Sequence, residues 1–407
     1  MSTEKNNELV PKRRFPEFRG KTAWITWPGN KLFEQISDKN PEPGLPVLAI
    51  TQEHGAIPRD MIDYHVSVTD KSIESYKVVQ VGDFIISLRS FQGGIEYSQY
   101  HGICSPAYVV LRRCAEGSDA YFKHYLKTDR FIQILTKNLE GLRDGKMISY
   151  KQFSELQIPT PTAAEQQKIA DCLSALDELI AAQARKVEAL KTHKKGLMQQ
   201  LFPREGETQP LLRFPEFQNT GEWVMKRLSG LIDLISGMHL SPEDYSTSGE
   251  VPYFTGPSDF TNDLQTVTKW TKRTANVSQA DDTLITVKGS GVGEIWNSTL
   301  PQVALGRQLM AIRPKSGSSR FIFQFLLTKR SRFEDLGSGN LIPGLSRAAI
   351  LELDVCLPPP DEQKRIADCL TTLDTLITAA TKELDTLKAH KKGLIQQLFP
   401  SVEEVQA

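Results

Sequence analysis

Two stretches of this chain are near copies of each other, and they constrain the fold more than any other feature. Residues 165–203 read EQQKIADCLSALDELIAAQARKVEALKTHKKGLMQQLFP, and residues 362–400 read EQKRIADCLTTLDTLITAATKELDTLKAHKKGLIQQLFP, identical at 24 of 39 positions with a constant offset of 197. A second echo opens each half: Arg14-Phe15-Pro16-Glu17-Phe18 and Arg213-Phe214-Pro215-Glu216-Phe217, followed by Trp24 and Trp223. Between these bookends the halves share only a thin pattern, such as Gly82-Asp83-Phe84-Ile85-Ile86-Ser87 beside Asp281-Asp282-Thr283-Leu284-Ile285-Thr286. A duplication accounts for this order, and such a repeat must be found before any fold is assigned. The alike parts do one job twice, while the unlike parts do two versions of another.

The repeated segments carry heptads. In the first, Ile169, Leu173, Leu176, Ile180, Val187, Leu190, Leu197 and Leu201 fall at alternating four-three spacing, with Gln183 and Lys194 completing the seam. In the second the seam is Ile366, Leu370, Leu373, Ile377, Ala380, Leu384, Leu387, Leu394 and Leu398, interrupted by Lys391 where the first has Lys194. Sustained spacing of this kind marks a coiled coil, and a lysine in the seam costs stability but can fix register or face another partner. Thr162-x-x-Glu165 has the form of a capping box, and prolines bracket both segments. Each helix should then run roughly 50–60 Å at 1.5 Å per residue. The helices most simply pack on each other. An antiparallel pair would set the two globular halves at opposite ends of a rod with a pseudo-twofold axis.

The expected division is a first variable domain at 1–160, a long helix at 161–203, a second variable domain at 204–360, a second long helix at 361–400, and a tail at 401–407. Short apolar runs bounded by Gly and Pro predict strands at Val47–Ile50, Val78–Val81, Phe84–Leu88 and Ala107–Leu111, and a helix near Ala120–Lys137. The second half repeats the theme with Val251–Thr255, Thr283–Val287, Gly293–Trp296 and Gln308–Ile312, then a helix near Arg320–Arg332. The fold class is therefore α+β: two mixed α/β domains separated by two long antiparallel helices.

Loops between these strands carry groups suited to phosphates or base edges: Arg89, Ser90 and Gln92 in the first half, and Lys288, Ser290, Arg307 and Gln308 in the second. A further equivalent pair lies before each long helix, Arg143 and Lys146 with Tyr150, and Asn340 with Arg347. Arg and Lys suit guanine, and Asn and Gln suit adenine. Charge gives no such pointer. Lys plus Arg and Asp plus Glu both total 49, and residues 1–160 hold 21 basic against 19 acidic side chains. A nucleic-acid binder usually shows a basic excess, so any grip on DNA must be local or supplied in part by a partner.

Enzymatic signatures are lacking. Gly289-Ser290-Gly291-Val292-Gly293 misses the full dinucleotide-loop spacing, and there is no GxxxxGK[ST] phosphate loop. Pro360-Asp361-Glu362-Gln363-Lys364 reads as the start of a helix whose carboxylates favour its dipole, and His193 and His390 as cations near helix C-termini. Cys104, Cys114, Cys172, Cys356 and Cys369 include no CxxC pair, which argues for reduced residues and against a metal site. No run approaches a membrane span, and the opening residues lack a signal peptide's apolar stretch, so a cytoplasmic location is expected.

The twice-written pattern of Glu-Gln after proline, Ile-Ala-x-x-Leu, and Lys-Lys-Gly-Leu-x-Gln-Gln-Leu-Phe-Pro, each copy behind an unlike domain, resembles the specificity subunits of type I restriction-modification enzymes. The resemblance implies two target-recognition domains reading the halves of a bipartite double-stranded DNA target. It further implies two methyltransferase subunits docked on this scaffold, together with nuclease/translocase subunits. S-adenosylmethionine, ATP and Mg would belong to those partners, and this chain would be non-catalytic, with no bound cofactor or metal.

Overall fold

A computed structural model describes residues 9–62, 75–137, 148–273, 275–289, 291–315, 317–338 and 344–400. The chain divides into two compact units: residues 1–183 with 383–407, and residues 184–382. Each unit therefore takes one variable domain, the first part of the helix that follows it, and the last part of the other long helix.

In the first unit an antiparallel sheet runs in the order Phe33–Ile36, Val109–Arg113, Phe84–Ile86, Glu96–Tyr97. Side chains alternate across a strand. Phe84, Ile86 and Leu111 thus face a core shared with the helices Asp119–Tyr125 and Asp129–Lys137, while Ile85 and Val110 face a second core with Leu48, Ala56, Val79 and Cys104. That second core lies under two small ribbons, Leu48–Thr51 with Gly55–Pro58 and Lys77–Val79 with Gly102–Cys104. Both faces being covered explains why Phe84-Ile85-Ile86 is an unbroken apolar run.

The second unit repeats this plan with different residues. Its central sheet runs Ile232–Ser236, Leu309–Pro314, Thr283–Thr286, Ile295–Asn297. Ile285 and Ile312 face the helical core, and Leu284 and Ala311 face the other. Here the covering layer is a five-stranded sheet with one parallel pair, Val251–Phe254 beside Gln302–Leu305.

Each helix expected after the strands is in fact two, Asp119–Tyr125 and Asp129–Lys137, then Ser319–Thr328 and Arg330–Ser338. Thr128 makes the first break: its hydroxyl donates to Tyr125 O and accepts from Phe131 N, ending one helix and capping the next. Short strands at Ile25–Pro28 and Gln157–Thr160, and at Val224–Arg227 and Asp354–Leu357, pair to close the base of each unit. Periodicity does not reveal those.

The repeated segments are single helices, Ala163–Leu201 and Pro360–Leu398. Within the first unit Asp177 meets Lys391, and Gln183 donates to Glu383 at 2.8 Å. Advancing along one helix retreats along the other, so they are antiparallel there. Only part of each seam is covered by the other helix. Ile169 and Leu173 with Leu398 are buried in the first domain's core, and Leu201 with Ile366 and Leu370 in the second's.

The interrupting lysines hold the register. Lys391 reaches Asp177, and in the second unit Lys194 donates to Asp374 at 2.6 Å. Each aspartate is also met from its own domain. Gln324 Nε2 donates to Asp374 at 2.8 Å, whereas His124 Nδ1 stands 3.8 Å from Asp177. Burial and the charge of Lys391 push the His124 pKa down to about 4, so this ring is neutral at pH 7.

The Arg-Phe-Pro-Glu-Phe echo also has a structural cause. Arg14 grips the buried Glu165 through two hydrogen bonds of 2.7 Å and caps the carbonyls of Lys21 and Thr22. Arg213 repeats the fork on Glu362 at 2.8 and 2.6 Å. Glu165 therefore answers Arg14 and leaves the expected capping box half made, with Thr162 Oγ1 accepting from Glu165 N at 3.4 Å. Beside each clamp the backbone bonds to the end of the other helix: Arg13 N to Gln397 O, and Leu212 N to Gln200 O, both 2.9 Å.

Candidate nucleic-acid interface

In both units the strand register brings three loops to one end of the central sheet. In the second unit Ser236 lies opposite Met310 and Thr286 opposite Leu309, so the segments after Ser236, after Thr286 and before Leu309 emerge together. In the first unit the pairs Ile36 with Val110 and Ile86 with Val109 do the same for the loops at 37–40, 87–92 and 105–108.

Most of the described loop candidates of the second half converge there. Lys288 and Arg307 are exposed and form no ion pair among the described residues, and Gln308, next to Arg307 in the chain, is half-buried. Arg347 reaches the same end but is partly spent. Its guanidinium donates to Ser236 Oγ at 2.6 Å and to Leu234 O at 2.9 Å, bracing the edge strand.

The first unit is more selective. Arg89 and Gln92 are exposed at the loop end. Ser90 is buried, its Oγ accepting from Ser87 N at 2.8 Å, so it shapes the turn and faces no ligand. Tyr150 is at the far end of the sheet, where its hydroxyl donates to Phe33 O at 3.0 Å. The Ser90 bond is local, three residues along the chain, as short polar side chains in turns favour, whereas the Tyr150 bond ties two distant parts of the chain together. Arg143, Lys146, Ser290 and Asn340 lie outside the described residues.

Other members of these edges escape a reading of the sequence alone. Asp38, Lys39 and Asn40 follow the strand Phe33–Ile36, and exposed His239 follows Ile232–Ser236. Their only signal is a position after a strand that the apolar pattern does not mark. Beside the first edge, Lys77 donates to Tyr108 O at 2.6 Å, and burial holds its pKa below the ordinary lysine value.

Among the described residues no group of three or more His, Cys, Asp or Glu is placed to hold a metal ion, and no helix is long and apolar enough to cross a membrane. All five cysteines are free, with Cys104 buried and Cys114 exposed at the surface. Glu362 of the acidic Pro360–Lys364 cluster is committed to Arg213. His193 and His390 are exposed on the long helices.

A family model described as the type I restriction modification DNA specificity domain matches this chain twice, over residues 28–192 and 220–389. The chain belongs to the type I restriction-modification specificity family. It is a specificity subunit with two target-recognition domains, the non-catalytic recognition component of such systems. A putative type I restriction enzyme MjaX specificity subunit from Methanocaldococcus jannaschii is 26% identical over 377 residues, covering 88% of this chain and 86% of that protein. The MjaVIII specificity subunit of the same organism is 23% identical, covering 82% and 81%. In fold, the chain is similar to the S subunit of a type I system from M. genitalium, with a TM-score of 0.65 at 19% identity, covering 97% of this chain and all of that one. A chain from a study of complex assembly and conformational transition in a type I system aligns with a TM-score of 0.53 at 21% identity, covering 93% and 97%.

Proposed function

We propose that the loop end of each central sheet is the surface that reads double-stranded DNA, one half of a bipartite target per domain. The observation that carries this reading is the contrast within each unit. The clamps, the lysine ties and the strand order recur in both, yet the side chains at the loop end do not: Arg89 and Gln92 in one, Lys288, Arg307 and Gln308 in the other. A scaffold kept twice with its tips changed fits two readers of different sequence.

Two methyltransferase subunits are the proposed occupants of the helices. Leu179 and Leu376, at equivalent positions off the seam, are 52% and 48% exposed, and one apolar contact presented twice suits two copies of one partner. Nuclease/translocase subunits would join that assembly. S-adenosylmethionine, ATP and Mg would be bound by these partners, in the cytoplasm. The zero net charge fits a division of labour in which the partners supply much of the phosphate attraction. The helices, each of 39 residues, would set the unspecified spacer. The deciding experiment mixes the chain, alone and with its methyltransferase subunits, with DNA and labelled S-adenosylmethionine. Adenine methylation at a bipartite motif by the complex alone is expected; methyl transfer by the isolated chain would overturn the reading.

A further inference from the structure

Around Gln308 in the second unit the backbone is stripped of side chains. Gly256, Gly289 and Gly306 form the floor. A Cβ at Gly256 would lie 2.8 Å from Gln308 Oε1, and one at Gly306 would lie 2.9 Å from both Phe254 O and Thr255 Cα. Gly289 sits at φ +90°, a conformation that side-chain-bearing residues rarely adopt, with Gln308 Nε2 3.5 Å from where its Cβ would stand. No larger residue fits the first two places without displacing the carboxamide or the backbone beneath it.

The backbone of Gln308 is equally fixed. Val287 N donates to Gln308 O at 2.7 Å, and Leu309 N closes the turn onto Gly306 O at 2.9 Å. Its carboxamide, by contrast, makes no hydrogen bond among the described residues, although the residue is half-buried. A carboxamide carried on a fixed backbone, with its donor and acceptor unspent within the chain, is available to a partner outside it.

We propose that Gln308 is the base-reading side chain of the second domain and that it recognises an adenine in the major groove. The assignment rests on the DNA-reading function proposed above. A carboxamide offers one donor and one acceptor side by side, the pattern that pairs with adenine N7 and N6. The glycines leave room for the carboxamide itself, since a Cβ at Gly256 would meet its Oε1 at 2.8 Å. Arg307, exposed beside it, meets a phosphate and so positions the duplex without reading sequence. The corresponding turn of the first unit, Ser105–Tyr108, is closed by Tyr108 N to Ser105 O at 3.0 Å and contains no glutamine. The first domain must therefore read its half-site with other groups.

The test is methylome sequencing of a methylation-free host expressing the full chain, wild type or variant, with its methyltransferase subunits. Gln308→Ala should relax one adenine position of one half-site by about 5- to 150-fold in discrimination, leaving the other half-site unchanged. Gln308→Glu keeps the shape but only accepts hydrogen bonds, and should move preference at that position toward cytosine. Equal loss at all positions in both variants, or a motif that neither changes, would overturn the assignment while leaving the DNA-reading function intact. A wild-type complex that methylates without any bipartite motif would overturn that function, and the assignment with it.

Discussion

Removing Arg14 should cost the first unit far more than one surface residue normally does. Glu165 keeps only 1% of its side chain exposed and receives two charge-assisted hydrogen bonds of 2.7 Å from a guanidinium that is itself 7% exposed. Arg14→Ala strands that carboxylate in the interior, which costs about 3–5 kcal/mol. Units of 150–250 residues lose about 2–4 °C in Tm per kcal/mol, so the first unit should melt roughly 6–20 °C lower. Arg14→Met with Glu165→Leu removes both charges, and should recover most of the loss, because the carbonyls of Lys21 and Thr22 belong to exposed residues that water can serve. Thermal and urea unfolding of the single and double variants form a cycle whose coupling energy should exceed about 2 kcal/mol. The same change at Arg213 should leave the first unit's transition alone. A loss below about 1 kcal/mol for Arg14→Ala would refute the role of this fork in securing the domain to its helix.

Three further outcomes concern a buried histidine, an exposed arginine and the length of the helices. His124 has its pKa lowered to about 4 in the folded chain; between that value and about 6.5 the unfolded state binds the extra proton, so stability should rise with pH across this window by up to about 3 kcal/mol. His124→Gln, which copies Gln324, should flatten that dependence, and urea midpoints measured from pH 4 to 7 would show whether it does. Arg307→Gln should weaken DNA binding evenly across sequences and reduce the salt slope by about 0.9, read from titrations of the assembled complex at several salt concentrations. Inserting one heptad into both long helices, near Gln183 and Ala380, should shift the preferred spacer by about three base pairs, from roughly 10 Å of added helix against 3.4 Å per base pair; methylation of a spacer-length library measures it, and an unchanged preference at full activity would remove the helices as a ruler.

The long helices are legible in the sequence because an apolar repeat of 3.5 residues, sustained over this length, suits little except a packed helix. The duplication is legible because the strings match outright. What covers each seam is not. A heptad records that Ile169, Leu173 and Leu398 need burial, yet a domain core buries them as well as a partner helix does. Lys194 and Lys391 are visible as paired interruptions, but their partners Asp374 and Asp177 lie off the seam and become evident only in three dimensions. Among the loop candidates, the long exposed groups Arg89 and Gln92 lie at the loop end of the first unit's sheet, and Lys288 and Arg307 at that of the second. Ser90 is buried against Ser87 by a bond within its own turn, and Tyr150 is held at the other end of the sheet by Phe33 O, a pairing the sequence does not show. The clamps do carry a sequence signal, an arginine and a glutamate recurring at matched places in both halves, but nothing along the chain says that the two touch.

The most direct measurement of the central claim is a domain exchange. Replacing residues 14–160 with the equivalent domain of a relative leaves the second unit's loop end unaltered. Methylome sequencing of the hybrid complex should show one half-site rewritten and the other identical to wild type. If both half-sites changed together, the two domains would not be independent readers, and the division of the target between them would be wrong.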